Sequence, residues 1–232
     1  MERDRDSLKR HPWELRRCDF FGRVLADAGL LHPGLDFLDA GAGDGFVARS
    51  WLAAHPELHS ATCWDAAYSE EDLANYGAGG GDRIVFVREP PSGRFELVLL
   101  LDVLEHIEDD AEALSGLMRT LRPGGHLFLF VPALKFLFSD LDALHGHYRR
   151  YALGELNTLT QTAGFEIIRS RYFDIVGVLP WWLLNTLMGA TTFNPLMIRI
   201  YDAVFAPVSR LIDRMITPPF GKNILLVAKR PD

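Results

Sequence analysis

Short apolar runs alternate with stretches of helical spacing along most of the chain. Strands are expected near residues 35–40, 61–65, 84–88, 95–102, 125–131, 165–173 and 223–229. Runs such as Phe95-Glu96-Leu97-Val98-Leu99-Leu100-Leu101 are short and apolar on both faces, which indicates a parallel sheet covered by helices on either side. Leu15, Phe21, Val24, Leu25 and Ala28 recur at near-helical spacing before Gly29 and predict a helix ahead of the first strand, placed to act as a lid. A second helix is expected from Asp109 to Thr120, with acidic residues at its positive N-terminal end, and a third from Gly154 to Ala163, closed by Gly164. Gly77 to Gly81 reads as a flexible loop, and no internal repeat is visible.

One stretch breaks the alternation. Ile175 to Ile198 carries no charge, and its length alone is that of a membrane span. Pro180, Asn185, Thr191, Thr192, Asn194 and Pro195 interrupt it, however, and a single crossing would strand Asn223–Lys229 on the wrong side of the bilayer from its sheet. Trp181 and Trp182, followed by Leu183, Leu184, Leu187 and Met188, instead suggest an interfacial helix or the wall of an apolar acceptor pocket, with Arg199 and Arg210 available to anionic headgroups. The alternative is a helical subdomain packed on the core or at a dimer contact. The expected layout is one domain over 1–232: a helical lid at 1–34, a core at 35–174, an apolar insertion at 175–221 and the last strand at 222–232.

Composition narrows the function. The chain has 232 residues, 48% of them apolar, enough for a sizeable core. A net charge of −7 argues against a nucleic-acid partner, which needs concentrated Lys and Arg. Two cysteines, Cys18 and Cys63, form neither a metal spacing nor a disulfide framework. The charged start Met1-Glu2-Arg3-Asp4-Arg5-Asp6, with no apolar signal region behind it, leads to the expectation of a cytoplasmic protein.

The chemistry concentrates in Leu38-Asp39-Ala40-Gly41-Ala42-Gly43-Asp44-Gly45-Phe46, where three alternating glycines follow an acid at the end of an apolar run. Glycine permits the positive φ and close ligand approach that such a bend needs. A dinucleotide fingerprint, G-x-G-x-x-G, would have its third glycine one residue later. The acid at 39 suits a positively charged ligand, and Asp65, twenty residues after Gly45, is placed to accept hydrogen bonds from ribose hydroxyls.

This loop resembles motif I of the class I S-adenosylmethionine-dependent methyltransferases. The likeness continues through Asp65, through Phe95–Ile107 as fourth strand and following turn, and through Leu121-Arg122-Pro123-Gly124-Gly125-His126-Leu127 as the turn into the fifth strand. His11-Pro12-Trp13-Glu14-Leu15-Arg16-Arg17 and Gly146-His147-Tyr148-Arg149-Arg150-Tyr151 resemble segments of a bacterial subgroup (methyltransferase type 11/12-like) associated with cell-surface polysaccharide and lipid modification. The resemblance implies a Rossmann-like, doubly wound, seven-stranded, mostly parallel sheet with an antiparallel last strand and a helical insertion before it. It implies S-adenosylmethionine as cofactor, contacted by Asp39, Gly41, Ala42, Gly43, Gly45, Phe46, Asp65, Ala66, Asp102 and Val103. The family's adenine-binding acid after the third strand is replaced here by Arg88-Glu89-Pro90-Pro91, which leaves that contact open.

His106, one turn past the fourth strand, is the candidate base; the alternative is a helix-start histidine bonded to backbone. Trp13, His147, Tyr148 and Arg149 are candidate acceptor contacts, and Tyr151 is a packing residue by default. Asp140, Asp142, His145 and His147 include potential ligands without a stricter motif, so no metal is expected there. The resulting expectation is an O-methyltransferase acting on a small, lipid-linked or glycan-related acceptor, with peripheral contact to the inner face of a membrane. A non-catalytic cofactor-binding or membrane-associated scaffold would bind the cofactor without turnover. A nucleotide-dependent oxidoreductase would prefer NAD.

Overall fold

The alternating apolar runs form one sheet sandwiched between helices. A computed structural model of the chain describes residues 12–192, 208, 209, 212 and 217–232. The strands are β1 (Asp36–Ala40), β2 (Ser60–Trp64), β3 (Ile84–Val87), β4 (Phe95–Leu101), β5 (Leu121–Pro132), β6 (Glu166–Phe173) and β7 (Asn223–Lys229). The helices are α1 (Pro12–Asp27), α2 (Phe46–Ala54), α3 (Glu70–Gly80), α4 (Asp110–Thr120), α5 (Asp140–Leu144), α6 (Leu153–Thr162) and α7 (Val178–Trp181). Sheet order is β3-β2-β1-β4-β5-β7-β6, with β7 antiparallel to both of its neighbours. The chain winds outward in one direction through β1, β2 and β3 and in the other through β4 and β5. The crevice between the tips of β1 and β4 is therefore the switch point at which such sheets bind ligands.

Strand alternation divides the core into two layers. Phe37, Leu97, Leu99, Phe128 and Phe130 face α1 and α2, through Cys18, Phe21, Leu25, Ala48 and Trp51. Leu38, Val98, Leu100, Leu127 and Leu129 face α4, α6 and Tyr151. The predicted first helix packs on the sheet face. Its stripe of Cys18, Phe21 and Leu25 is buried against the sheet, and the Trp51 indole N–H donates to the Cys18 carbonyl (3.3 Å). Cys18 and Cys63 are both buried free thiols.

Two boundaries differ from the sequence expectation. Gly77–Gly80 belongs to α3 and is not a loop. Ser69 and Asp72 form a reciprocal capping box, and three acids in the first turn carry the helix through the glycines until Gly81 ends it at φ 62°. Strand β5 begins at Leu121, since that side chain is fully buried and pairs with Phe95. Pairing resumes at Leu97 with His126, so Arg122–Gly125 loops out between the two contacts.

The insertion starts as α7 and continues as a wide turn over Trp182–Leu187. Among the described residues no helix is long and apolar enough to cross a membrane. His11, Asn194, Pro195, Arg199 and Arg210 lie outside the described residues, as does the side chain of Trp13.

Candidate active site

At the tip of β1 the chain makes a loop in which Gly41, Gly43 and Gly45 have φ of 74°, 56° and 72°. Backbone bonds fix its path: Gly41 and Ala42 N–H donate to the Trp64 carbonyl (2.7 and 3.2 Å), and Gly45 N–H to that of Ala42 (2.9 Å). A Cβ on Gly41 would overlap the Val103 methyls, 2.9 Å from Cγ1 and closer to Cγ2. One on Gly45 would meet the Phe86 ring at 2.7 Å. Gly43 differs, with open space where its Cβ would be. Asp65 grips the loop from β2: Oδ2 accepts from Gly43 N–H (3.1 Å), and Oδ1 from Ala67 N–H (2.9 Å). The exposed Ala66 follows it, and half-buried Phe46 opens α2, its N–H bonded to Asp44 Oδ1 (3.2 Å).

Beneath the loop, Asp39 is 3% exposed, and burial together with the charge of Asp65 pushes its carboxyl up to about 7. An open-sided glycine bend backed by two carboxylates fits a cationic nucleoside ligand. After β3, where the family's adenine-binding acid would stand, Glu89 is exposed and lies 3.9 Å from Arg88.

Across the crevice, Asp102 follows β4 at φ 53°, a left-handed conformation that costs a non-glycine residue free energy and that clusters at functional sites. Its N–H donates to the Phe130 carbonyl (2.9 Å), and its carboxylate pairs with Arg17 of α1. The Arg17 guanidinium lies 5.8 Å from the Phe21 and Phe130 rings. The helix packed on the sheet face therefore also reaches the mouth of the site.

One turn further on, Glu105 is buried and His106 exposed. Neither carboxylate oxygen of Glu105 has a hydrogen-bond partner among the described residues, and burial with the nearby Asp102 raises its pKa well above the usual carboxylate range. The His106 ring meets His147 edge to face, with centroids 4.5 Å apart and planes at 90°. Burial, then His147, lowers the His106 pKa. His147 is held from behind: Nδ1 lies 3.0 Å from Asp142 Oδ1, and that carboxylate is bound by Arg150 (Nη2 2.8 Å, Nε 3.1 Å) and Ser139 (Oγ and N, both 2.9 Å).

The structure brings His106 and His147 together, although they are forty-one positions apart in the sequence. It separates the other acceptor candidates. Tyr148 is exposed, its N–H donating to the Glu105 carbonyl (2.7 Å). Arg149 is engaged by Asp110 Oδ2 (2.8 Å) and the Glu108 carbonyl (2.6 Å), so it braces the segment. Tyr151 packs, as its 2% exposure shows, with its hydroxyl on Asp110 (3.0 Å). His145 bonds the Leu141 carbonyl (2.7 Å). The sequence reading missed Arg17 as the partner of Asp102 and missed Glu105 altogether. The position of Glu105 inside an apolar run was visible, but its burial was not.

The sequence matches the methyltransferase-domain family over residues 13–170. A Mycolicibacterium smegmatis protein described as an S-adenosylmethionine-dependent methyltransferase is 30% identical over 144 residues, 58% of this chain and 53% of that one. The ubiquinone biosynthesis O-methyltransferase of Ralstonia nicotianae is 25% identical over 149 residues, 56% of this chain and 62% of that one. The matches thus span about half to three-fifths of these relatives' lengths. An S-adenosylmethionine-dependent methyltransferase from Mesorhizobium loti has the same fold, with TM-score 0.61 at 19% identity over 92% of this chain and all of that one. With more than half its length inside the family match and the seven-stranded topology in place, this chain belongs to the methyltransferase-domain family, in its S-adenosylmethionine-dependent class.

Proposed function

We propose that this protein methylates a hydroxyl of a small or lipid-linked acceptor. One observation carries the reading: the open side of the glycine loop and His106, with His147 packed against it, follow the carboxyl ends of the adjacent central strands β1 and β4. S-adenosylmethionine, when bound, supplies an electrophilic methyl group on a sulfonium. The work left to the protein is to hold two reactants in line and to receive a proton. In this reading Asp65 takes the ribose hydroxyls on the carboxylate lone pairs its two N–H bonds leave over, and Asp39 offers negative charge to the cationic cofactor. Gly41, Ala42, Gly43, Gly45, Phe46 and Ala66 line the cofactor's path, with Asp102 and Val103 on its other side. His106 stands at the acceptor end to take the hydroxyl proton. The R. nicotianae relative's name supports oxygen as the acceptor atom.

The lipid-linked part of the proposal rests on the insertion. Leu179, Trp182, Leu183, Leu187 and Met188 are exposed, and Phe136 and Phe138 are exposed as well. Exposed apolar side chains in this number favour a bilayer interface or an acyl chain over water. The test is incubation with S-adenosylmethionine radiolabelled in the methyl group and separated lipid, polysaccharide and small-molecule fractions. Label is expected in the lipid fraction. Tight cofactor binding with no label in any fraction would leave only a scaffold.

A further inference from the structure

We infer that Glu105, His106 and His147 form a binding site for one divalent transition-metal ion, with zinc as the best-fitting species. One potential ligand atom from each residue lies within 4.8 Å of the others. Two imidazoles and one carboxylate are a donor set for zinc and its neighbours in the first row, and three protein ligands leave a coordination position for a substrate oxygen. Magnesium and calcium, which prefer shells of oxygen, fit it poorly.

Proximity alone does not make a site, but two further features point to a cation. Glu105 is 1% exposed, and both its oxygens lack a hydrogen-bond partner among the described residues. A buried carboxyl in that situation either retains its proton or meets a positive charge; Arg17 and Arg150 act on it only through space, with no hydrogen bond to either oxygen. The second feature is the support behind His147. Its Nδ1 is engaged by Asp142, whose carboxylate is locked by Arg150 and Ser139, so the other ring nitrogen is the one left to coordinate. Carboxylate-backed histidines of this kind are the usual outer support of metal ligands, where they set the tautomer and raise basicity. His106 has the Gly146 backbone as partner on its own ring, and Tyr148 N–H ties that segment to the Glu105 carbonyl. The three ligands therefore belong to one braced unit.

An ion here would bind the acceptor hydroxyl and acidify it, a task otherwise left to His106 as base. That role rests on the methyl-transfer reading; the site itself does not. The test is accordingly metal binding and not turnover. Untagged full-length protein, stripped with chelator, is titrated with Zn2+ by calorimetry and with Co2+ by visible absorption. Binding of one equivalent is expected, with cobalt bands of a low-coordinate site. Glu105→Gln and His147→Ala should each weaken binding at least a hundredfold, and Asp142→Asn about ten- to a hundredfold through its outer-shell role. Glu105→Gln keeps the side-chain volume and removes a buried ionisable group, so it remains informative if His147→Ala fails to fold. Absence of stoichiometric binding, or unchanged affinity in folded Glu105→Gln, overturns the site. Calorimetry with S-adenosylmethionine on the same preparation tests the cofactor reading separately.

Discussion

At Gly41 a side chain has nowhere to go. Alanine there adds a left-handed strain of about 1–2 kcal/mol to an overlap with Val103 worth about 1–3 kcal/mol, so Gly41→Ala should lower unfolding stability by about 2–5 kcal/mol. Only the overlap can be relieved from outside. Adding Val103→Ala should recover that share, and strict additivity of the two changes in denaturant unfolding would show that the contact is not the cause. Asp65 gives a binding counterpart: Asp65→Ala should weaken S-adenosylmethionine by roughly 1.5–3 kcal/mol, the range for hydrogen bonds to a charged group, with calorimetry on the folded variant as the check. Asp39 couples the two quantities. Its folded pKa of about 7 stands above the ordinary carboxylate value of 3.8. Between those values the folded protein holds a proton that the unfolded chain has released, and stability falls as pH rises through the window. Asp39→Asn should flatten that fall. A cationic cofactor prefers the ionised carboxylate, so wild-type affinity should tighten between about pH 6 and about pH 8 while that of Asp39→Asn stays level. Parallel pH profiles would remove Asp39 from the cofactor's electrostatics.

The elements were legible wherever local rules and burial agree. Strands β1, β4 and β7 follow from two-sided apolar runs, and α4 from its acidic start, with Asp109 accepting from the Glu112 N–H as the cap (2.9 Å). The misses have two origins, one a contact distant along the chain and the other a local cap outweighing glycine's low helix propensity. Leu121 joins β5 because Phe95 is there to pair with it, and the glycines of α3 stay helical because a capping box holds the other end. The site divides the same way. Its glycines and acids are local signals, whereas the pairing of Arg17 with Asp102 and the burial of Glu105 depend on how α1 and the 145–151 segment close over β4. Helix α1 is where this matters for function. The Arg17–Asp102 pair is about one-third exposed on each side, so it contributes within about 1 kcal/mol to global stability. Its larger effect should be on access to the crevice. Arg17→Met, which retains the stem over Phe21 and Phe130, should leave the unfolding midpoint nearly unchanged and speed cofactor release in stopped-flow displacement. An unchanged release rate would make α1 a packing element alone.

On the scale of the whole molecule, topology and charge together decide what the insertion can do. Strand β7 lies between β5 and β6, so the chain must return from the insertion to the sheet it left, and one membrane crossing is excluded by connectivity. The membrane reading proposed above therefore requires contact from one side. The two tryptophans divide that labour. Trp181 belongs to the protein: its indole N–H donates to the Leu137 carbonyl (3.0 Å), and Arg150 stands 4.6 Å over its ring. Trp182, Leu187 and Met188 are turned outward, at 39%, 63% and 68% exposure. A net charge of −7 opposes anionic headgroups at long range, so on that reading attachment is driven by apolar burial. Three partly exposed side chains of this size contribute about 3–5 kcal/mol on insertion, enough for a hundredfold change in partitioning. The triple variant Trp182→Ser, Leu187→Ser, Met188→Ser, with Trp181 retained, should therefore lose flotation with phospholipid vesicles at unchanged S-adenosylmethionine affinity. Wild-type flotation should persist on neutral vesicles and in high salt, which weakens charge-driven attachment but leaves apolar burial intact. A wild-type protein that ignores vesicles, or a variant that unfolds, would make the outward face part of the fold or of a subunit contact.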